Sequence, residues 1–179
     1  MTTDLRSKVE EDRGLLKKIQ MGIPGFRGYR QKEDLRIADS LLRMQVADLL
    51  KSDVLGTLEL IRERAGNALE LDLMNDIATV FSAAKTAETR VRHAEQGYSG
   101  ISPAYRVTDE QLNTLYEFDV SLVDGIRSLG ELCRTALGSA DAGDFGLVKA
   151  DLRDIRAGLA ELSAVFEKRI ETMAGLGAF

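Results

Sequence analysis

The sequence has a single cysteine, a single histidine, two prolines and no tryptophan among its 179 residues. A lone cysteine excludes an intrachain disulfide, and it gives no sign of an oxidising compartment. One cysteine and one histidine cannot supply the ligands of a zinc site. A single histidine also excludes the paired Glu-x-x-His motifs of a ferritin-like di-iron bundle in its usual form. We therefore expect neither a metal nor another cofactor.

Long apolar runs and the short motifs of common enzymes are also missing. No stretch approaches the roughly 20 apolar residues of a membrane span, and the first residues lack the apolar run of a signal peptide. There is no P-loop, no dinucleotide-binding fingerprint and no Gly-x-Ser-x-Gly nucleophile elbow. These absences predict a protein of the cytoplasm, without a membrane span, that is not an enzyme.

The chain carries more acidic than basic residues, with a formal net charge of −5 and a pI near 5.1. Nucleic-acid binding depends on a basic surface that neutralises phosphates, so we expect no nucleic-acid partner. Hydrophobic residues make up 44% of the chain and charged residues 30%. That balance is typical of a folded chain that buries one continuous core.

Apolar residues recur in steps of three and four along most of the chain, which is typical of α-helices that pack on one face. The clearest stretch runs from Thr108 to Ala136. Its stripe consists of Leu112, Leu115, Asp119, Leu122, Ile126, Leu129, Cys133 and Ala136. Asp119 is the one charged member of this stripe, and Cys133 is expected to be a small core residue.

This pattern predicts one all-α domain, an antiparallel up-down-up-down four-helix bundle of long helices with an additional short N-terminal helix. Its parts are an N-terminal helix at 1–21, a Gly/Pro loop at 22–30, the four-helix bundle at 31–174 and a tail at 175–179. The bundle helices are predicted at about 31–65, 69–96, 108–138 and 144–174. We expect a bend near Gly56 and a left-handed stop at Gly66 and Asn67. A two-helix hairpin that forms a homodimer is the alternative architecture.

Antiparallel order would bring the loops at 22–30 and 97–107 to the same end of the bundle, which we call the Tyr/Arg end. All four tyrosines and the only histidine map there. The candidate binding residues are Arg27, Tyr29, Arg30, His93, Tyr98, Tyr105, Arg106, Tyr116 and Asp119. Tyrosine and arginine are enriched where proteins bind partners. Aromatic and charged side chains could equally serve to hold two long loops onto the bundle.

Asp119 needs a partner of its own, because a carboxylate in an apolar stripe must be paired or lie near water. We expect an arginine of the same end to pair with it, such as Arg27, Arg30 or Arg106. Such a pair would be structural, so it does not by itself favour a binding site.

The candidate residues favour a non-enzymatic interaction or adaptor protein that presents the Tyr/Arg end to a protein partner. The alternative is a sensor that binds a small ligand or an anion between the loops at 22–30 and 97–107, because arginine suits carboxylate and phosphate groups.

Three short motifs are Ile23–Tyr29, Gly97–Gly100 and Leu115–Asp119. With these motifs the chain resembles a group of small, all-helical, uncharacterised prokaryotic proteins. Members of that group often have an aromatic residue where Gln96 stands here. The resemblance implies an all-helical fold and implies no activity or site residue.

Overall fold

The computed structural model describes residues 14, 16–21, 23, 32–94 and 109–175, and every regular element in those ranges is helical. The elements are α1 (Lys32–Leu49), a π-helical segment (Leu50–Leu55), α2 (Gly56–Asn67), α3 (Leu71–His93), α4 (Asp109–Asp141) and α5 (Phe145–Gly175). The predicted all-α class is confirmed. Residues 16–21 are helical as predicted for the N-terminal helix, while Thr108, Gln96 and the tail at 176–179 lie outside the described residues.

The first long helical run, residues 32–67, changes its winding where a bend was expected. The core positions on this run are Leu42, Val46, Leu50, Val54 and Leu58, all at most 1% exposed. Each step is four residues, and in an α-helix every such step rotates the stripe by about 40°. A π-helical turn holds more residues, so it returns the stripe to the core. The Gly56 N–H donates to the Lys51 carbonyl five residues back, which is the π-type bond.

The turn between α2 and α3 differs from the prediction. Gly66 and Asn67 are both helical, and the residue with a left-handed backbone is Leu69, at φ 61°. The Leu69 N–H donates to the Gly66 carbonyl (3.1 Å), and the Glu70 N–H donates to the Ala65 carbonyl (3.0 Å). This pair of bonds is the Schellman motif, which places the left-handed residue two positions after the last helical one. Leu69, predicted to start the third helix, is 78% exposed instead.

The turn between α4 and α5 has the same geometry, with a glycine at the left-handed position. The Gly143 N–H donates to the Ala140 carbonyl (3.0 Å), and the Asp144 N–H donates to the Ser139 carbonyl (2.9 Å). Gly143 takes the left-handed conformation at φ 75°. Asp144 then caps α5, since its carboxylate accepts the Leu147 N–H at 3.1 Å.

The predicted apolar stripes form the core. On α4, the side chains from Leu115 to Ala136 named above are at most 1% exposed, and Leu112 packs partly buried against them. Cys133 is fully buried, as expected. The matching stripe on α5 is Val148, Leu152, Ile155, Leu159, Leu162, Phe166 and Met173, all buried.

Contacts between helices define the packing of the described part. α4 contacts α5 most extensively, α3 contacts α5, and the run from α1 through α2 contacts both α3 and α4. Glycines allow α4 and α5 to approach closely, because a Cβ on Gly158 would lie 2.9 Å from Leu129 and one on Gly125 would lie 3.2 Å from Leu162. No helix in the described ranges is both long and apolar enough to cross a membrane.

Candidate functional site

Four charged side chains are buried in the described core, and we call them the charge cluster: Asp39, Arg43, Asp119 and Arg169. Their exposed fractions are 4%, 6%, 0% and 0%. Two are acidic and two are basic, so the cluster is formally neutral. Buried charges of this kind are rare in proteins unless they are paired, because water solvates them far better than the protein interior does.

Arg169 lies at the centre of the cluster. Its Nε donates to Asp119 Oδ1 at 2.6 Å, and its Nη1 donates to Asp39 Oδ1 at 2.5 Å. The second carboxylate oxygen of Asp39 accepts a bond from Arg43 Nε at 2.8 Å. Charge-assisted bonds at these distances are the strong class of protein hydrogen bond. The cluster is therefore a continuous chain of alternating charges, from Asp119 through Arg169 and Asp39 to Arg43.

The cluster joins all four long helical runs. Asp39 and Arg43 are four residues apart on α1 and so share one face of that helix. Asp119 belongs to α4 and Arg169 to α5. The fourth contribution comes from the end of α3, where the Arg92 carbonyl accepts a bond from Arg43 Nη1 at 3.4 Å. A cation at this place satisfies a carbonyl that the helix end leaves without an intrahelical partner.

In the described part of the structure, the buried polar side chains of this region all have hydrogen-bond partners. No buried side-chain nitrogen or oxygen among the described residues lacks a hydrogen-bond partner. Arg169 Nη1 also lies 3.0 Å from the sulfur of Met173. A fully satisfied buried network fixes the relative positions of the elements that carry it, because any sliding of one helix would leave a charge unpaired.

A second, more exposed group of ion pairs surrounds the end of α3. Arg92 donates to Asp48 on α1 at 2.8 Å and to Glu88 one turn earlier on its own helix. Hydrogen bonds to Asp48 and Glu88 raise the pKa of Arg92 above its ordinary value. His93, the last residue of α3, is exposed. The charged surface here is therefore held to the bundle by Arg92.

The structure locates three of the nine predicted site residues. His93 is on the surface, whereas Tyr116 is 8% exposed and Asp119 is fully buried. Tyr116 belongs to the hydrophobic core, so it and Asp119 offer a partner almost no surface in this conformation. The other six predicted residues, Arg27, Tyr29, Arg30, Tyr98, Tyr105 and Arg106, lie outside the described residues.

The sequence analysis missed Asp39, Arg43 and Arg169. The described partner of Asp119 is Arg169, a helix residue, whereas the arginines expected there belong to the loops and lie outside the described residues. A signal for Arg169 was present. It lies three residues after Phe166 and four before Met173, which is a position on the apolar stripe of α5. Asp39 occupies the equivalent kind of position three residues before Leu42.

Other chemistry is limited in the described part of the chain. No group of three or more His, Cys, Asp or Glu side chains there could hold a metal ion. Burial raises the pKa of Cys133 to about 12, so this thiol stays protonated near neutral pH. Comparison of the chain with protein families, with curated proteins and with solved structures gave no match.

Proposed function

We propose that the chain is a non-enzymatic interaction or adaptor protein of the cytoplasm, which presents its Tyr/Arg end to a protein partner. The observation that carries the proposal is the charge cluster, because it joins all four helical runs within one turn of His93 and Tyr116. A recognition surface gains affinity when its supporting elements are rigid before binding. In this proposal Asp119 and Arg169 are positioning residues, and the contacts with the partner come from tyrosine and arginine side chains.

The proposal includes an antiparallel up-down-up-down four-helix bundle with an additional N-terminal helix. Ion pairs between helix ends support it. Arg64, near the end of α2, pairs with Asp141, at the end of α4 (2.8 Å). Arg90, near the end of α3, pairs with Glu167, on the later half of α5. Cysteines introduced at positions 64 and 141 should be joined by a short bismaleimide cross-linker, and cysteines at 64 and 167 should not.

The decisive experiment replaces Tyr98, Tyr105 and Arg106 together with alanine. A partner protein identified with the wild-type chain should be lost, while the free energy of unfolding changes by no more than about 1–2 kcal/mol. The matched control is Arg62→Ala, an exposed arginine on α2 that should leave binding unchanged. Unfolding of the triple variant would instead show that these side chains hold the fold together.

The alternative function is a sensor that binds a small ligand or an anion at the same end. Inorganic phosphate and citrate serve as probes in a thermal-shift assay. A rise in melting temperature that the triple variant abolishes, together with no protein partner, would assign anion binding to the same end.

A further inference from the structure

The two turns that the structure describes, between α2 and α3 and between α4 and α5, lie at the same end of the helices, opposite the charge cluster, and we call this the turn end. Arg64 Nε, just before the first turn, lies 2.8 Å from Asp141 Oδ1, just before the second. Just after the turns, Lys149 Nζ lies 3.4 Å from Asp76 Oδ2. These two ion pairs place the turns at 68–70 and 142–144 at the same end of the helices.

The same backbone motif closes both turns, but the left-handed position is occupied differently. The second turn uses Gly143, which has no Cβ and adopts φ 75° without strain. The first turn uses Leu69 at φ 61°, where the Cβ of an L-residue crowds the following carbonyl. The fold would be more stable with glycine at this place. The Leu69 side chain does not offset this strain by packing in the core, since 78% of it faces solvent.

Exposed leucines are concentrated at the turn end. Leu71 is 71% exposed at the start of α3, and Leu147 is 54% exposed in the first turn of α5. With Leu69, they are half of the six large hydrophobic side chains that are exposed in the described part of the chain. A backbone strain and an apolar surface that folding does not use, found together, point to selection for contact with another molecule.

Charge at the turn end is strongly acidic. The stretches 64–76 and 141–151 contain six acidic side chains and two basic ones. Both basic ones, Arg64 and Lys149, are already paired with Asp141 and Asp76. Glu70 and Asp72 flank Leu71 directly and are exposed. The exposed leucines thus lie at an end of the helices where acidic side chains outnumber basic ones.

We propose that the turn end binds a basic amphipathic helix of a partner protein, with Leu69, Leu71 and Leu147 as the apolar contacts. An amphipathic helix supplies an apolar face with lysine or arginine at its border, which matches leucines bordered by carboxylates. Nucleic acid and anionic membranes carry negative charge and would be repelled. A second copy of this chain would place like charges against each other across a self-complementary contact. The surface is separate from the Tyr/Arg end, so it would be a second interaction site.

The test uses a labelled synthetic helix of 18 residues with leucine on one face and lysine on the other, titrated with the full chain by fluorescence anisotropy. The variant is Leu69→Gly/Leu71→Gln. We expect its Kd to be at least tenfold weaker than that of the wild type. Glycine relieves the backbone strain at position 69, so this change should not unfold the chain. A loss of binding would therefore reflect the missing leucine side chains. The matched control is Met44→Gln, an exposed apolar residue on α1 (47% exposed), which should change the Kd less than twofold.

Charge is tested separately. Glu70→Gln/Asp72→Asn should weaken binding and reduce its salt dependence, and a peptide with glutamate in place of lysine should not bind. Equal Kd values for the wild type and the leucine variant would overturn the proposal, because attraction between net charges would then explain the binding. So would binding of phosphatidylglycerol vesicles, or sedimentation of the wild-type chain as a dimer that the leucine variant abolishes.

Discussion

Arg169→Met is the sharpest test of how the charge cluster holds the helices together. Methionine keeps most of the apolar volume of the arginine stem but removes the guanidinium from between Asp39 and Asp119. Asp39 retains its bond to Arg43 at 2.8 Å. Asp119, which is 0% exposed, loses its described cation. The variant therefore removes the described cation that offsets the desolvation of this buried carboxylate.

Removing one member of a buried ion pair costs about 3–5 kcal/mol, most of it from the stranded charge. A domain of this kind has a total free energy of unfolding of about 5–15 kcal/mol, so the loss should be easily measured. The double variant Asp119→Leu/Arg169→Met removes both charges and leaves Asp39 paired with Arg43. We expect it to unfold within about 1–2 kcal/mol of the wild type, because replacing a whole buried pair with apolar groups is often neutral or stabilising.

Urea unfolding followed by circular dichroism at 222 nm measures all the variants, and a constant m-value shows that the unfolding surface is unchanged. Arg62→Met is the matched control, since Arg62 pairs with Glu59 where both side chains are about half exposed. It should cost less than about 0.5 kcal/mol. A cost below about 1 kcal/mol for Arg169→Met would refute burial of the cluster. A double variant as costly as the sum of its single changes would refute the coupling between Asp119 and Arg169.

Three further predictions concern single residues. Leu69→Gly should raise the free energy of unfolding by about 1 kcal/mol, and Gly143→Leu should lower it by about 1–2 kcal/mol, because both positions require φ near +60 to +75°. Gly158→Ala should lower it by about 1 kcal/mol, because its new Cβ would lie 2.9 Å from a buried leucine of α4, an overpacking cost that exceeds the gain in helix propensity. Burial raises the pKa of Cys133 to about 12, so the unfolded thiol ionises at lower pH and stability should fall as pH rises from about 9 to 12.

Controls for the predictions at Gly158 and Cys133 use residues of the same chain. Gly138→Ala meets no atom within 4 Å and should stabilise α4 by up to about 1 kcal/mol, in contrast to Gly158→Ala. Cys133→Ala should remove the part of the alkaline loss that belongs to this thiol, which urea midpoints at each pH will separate from lysine and tyrosine titration. Equal pH profiles for Cys133→Ala and wild type would show that the thiol is accessible to solvent.

Periodic apolar residues were enough to predict the helices and their buried faces. The stripe from Leu115 to Ala136 is buried as predicted, and so is the stripe of α5 except for Phe145 and Ile170, which are partly buried. A helix that packs on one side must repeat its apolar residues every three or four positions. A bend was predicted near Gly56, and the structure has a π-helical segment there, at Leu50–Leu55. The four consecutive four-residue steps from Leu42 to Leu58 could be met by a kink or by wider turns, and only the backbone shows that π-type turns were used.

The partners of the buried charges depended on tertiary structure. Asp119 could be recognised as a residue in need of a cation from its place in an apolar stripe. Its partner Arg169 lies 50 residues away, and the sequence offers many other arginines that could pair with Asp119. Choosing among them requires the depth and rotation at which α4, α5 and α1 meet, which no local spacing contains.

The turns show the same division. Local sequence predicted helix ends near Asn67 and near Gly138, because glycine, alanine and asparagine or aspartate cluster at both places, and the second helix in fact continues to Asp141. Which residue takes the left-handed backbone was decided by the bonds from residues 69 and 70 back to the last helical carbonyls. Leu69, which takes that backbone, is 78% exposed, and the packing of the helices places its turn at the same end as the second turn. The spacing of apolar residues along the sequence specifies which face of each helix is buried. Which distant side chains contact one another is decided only when the helices pack together.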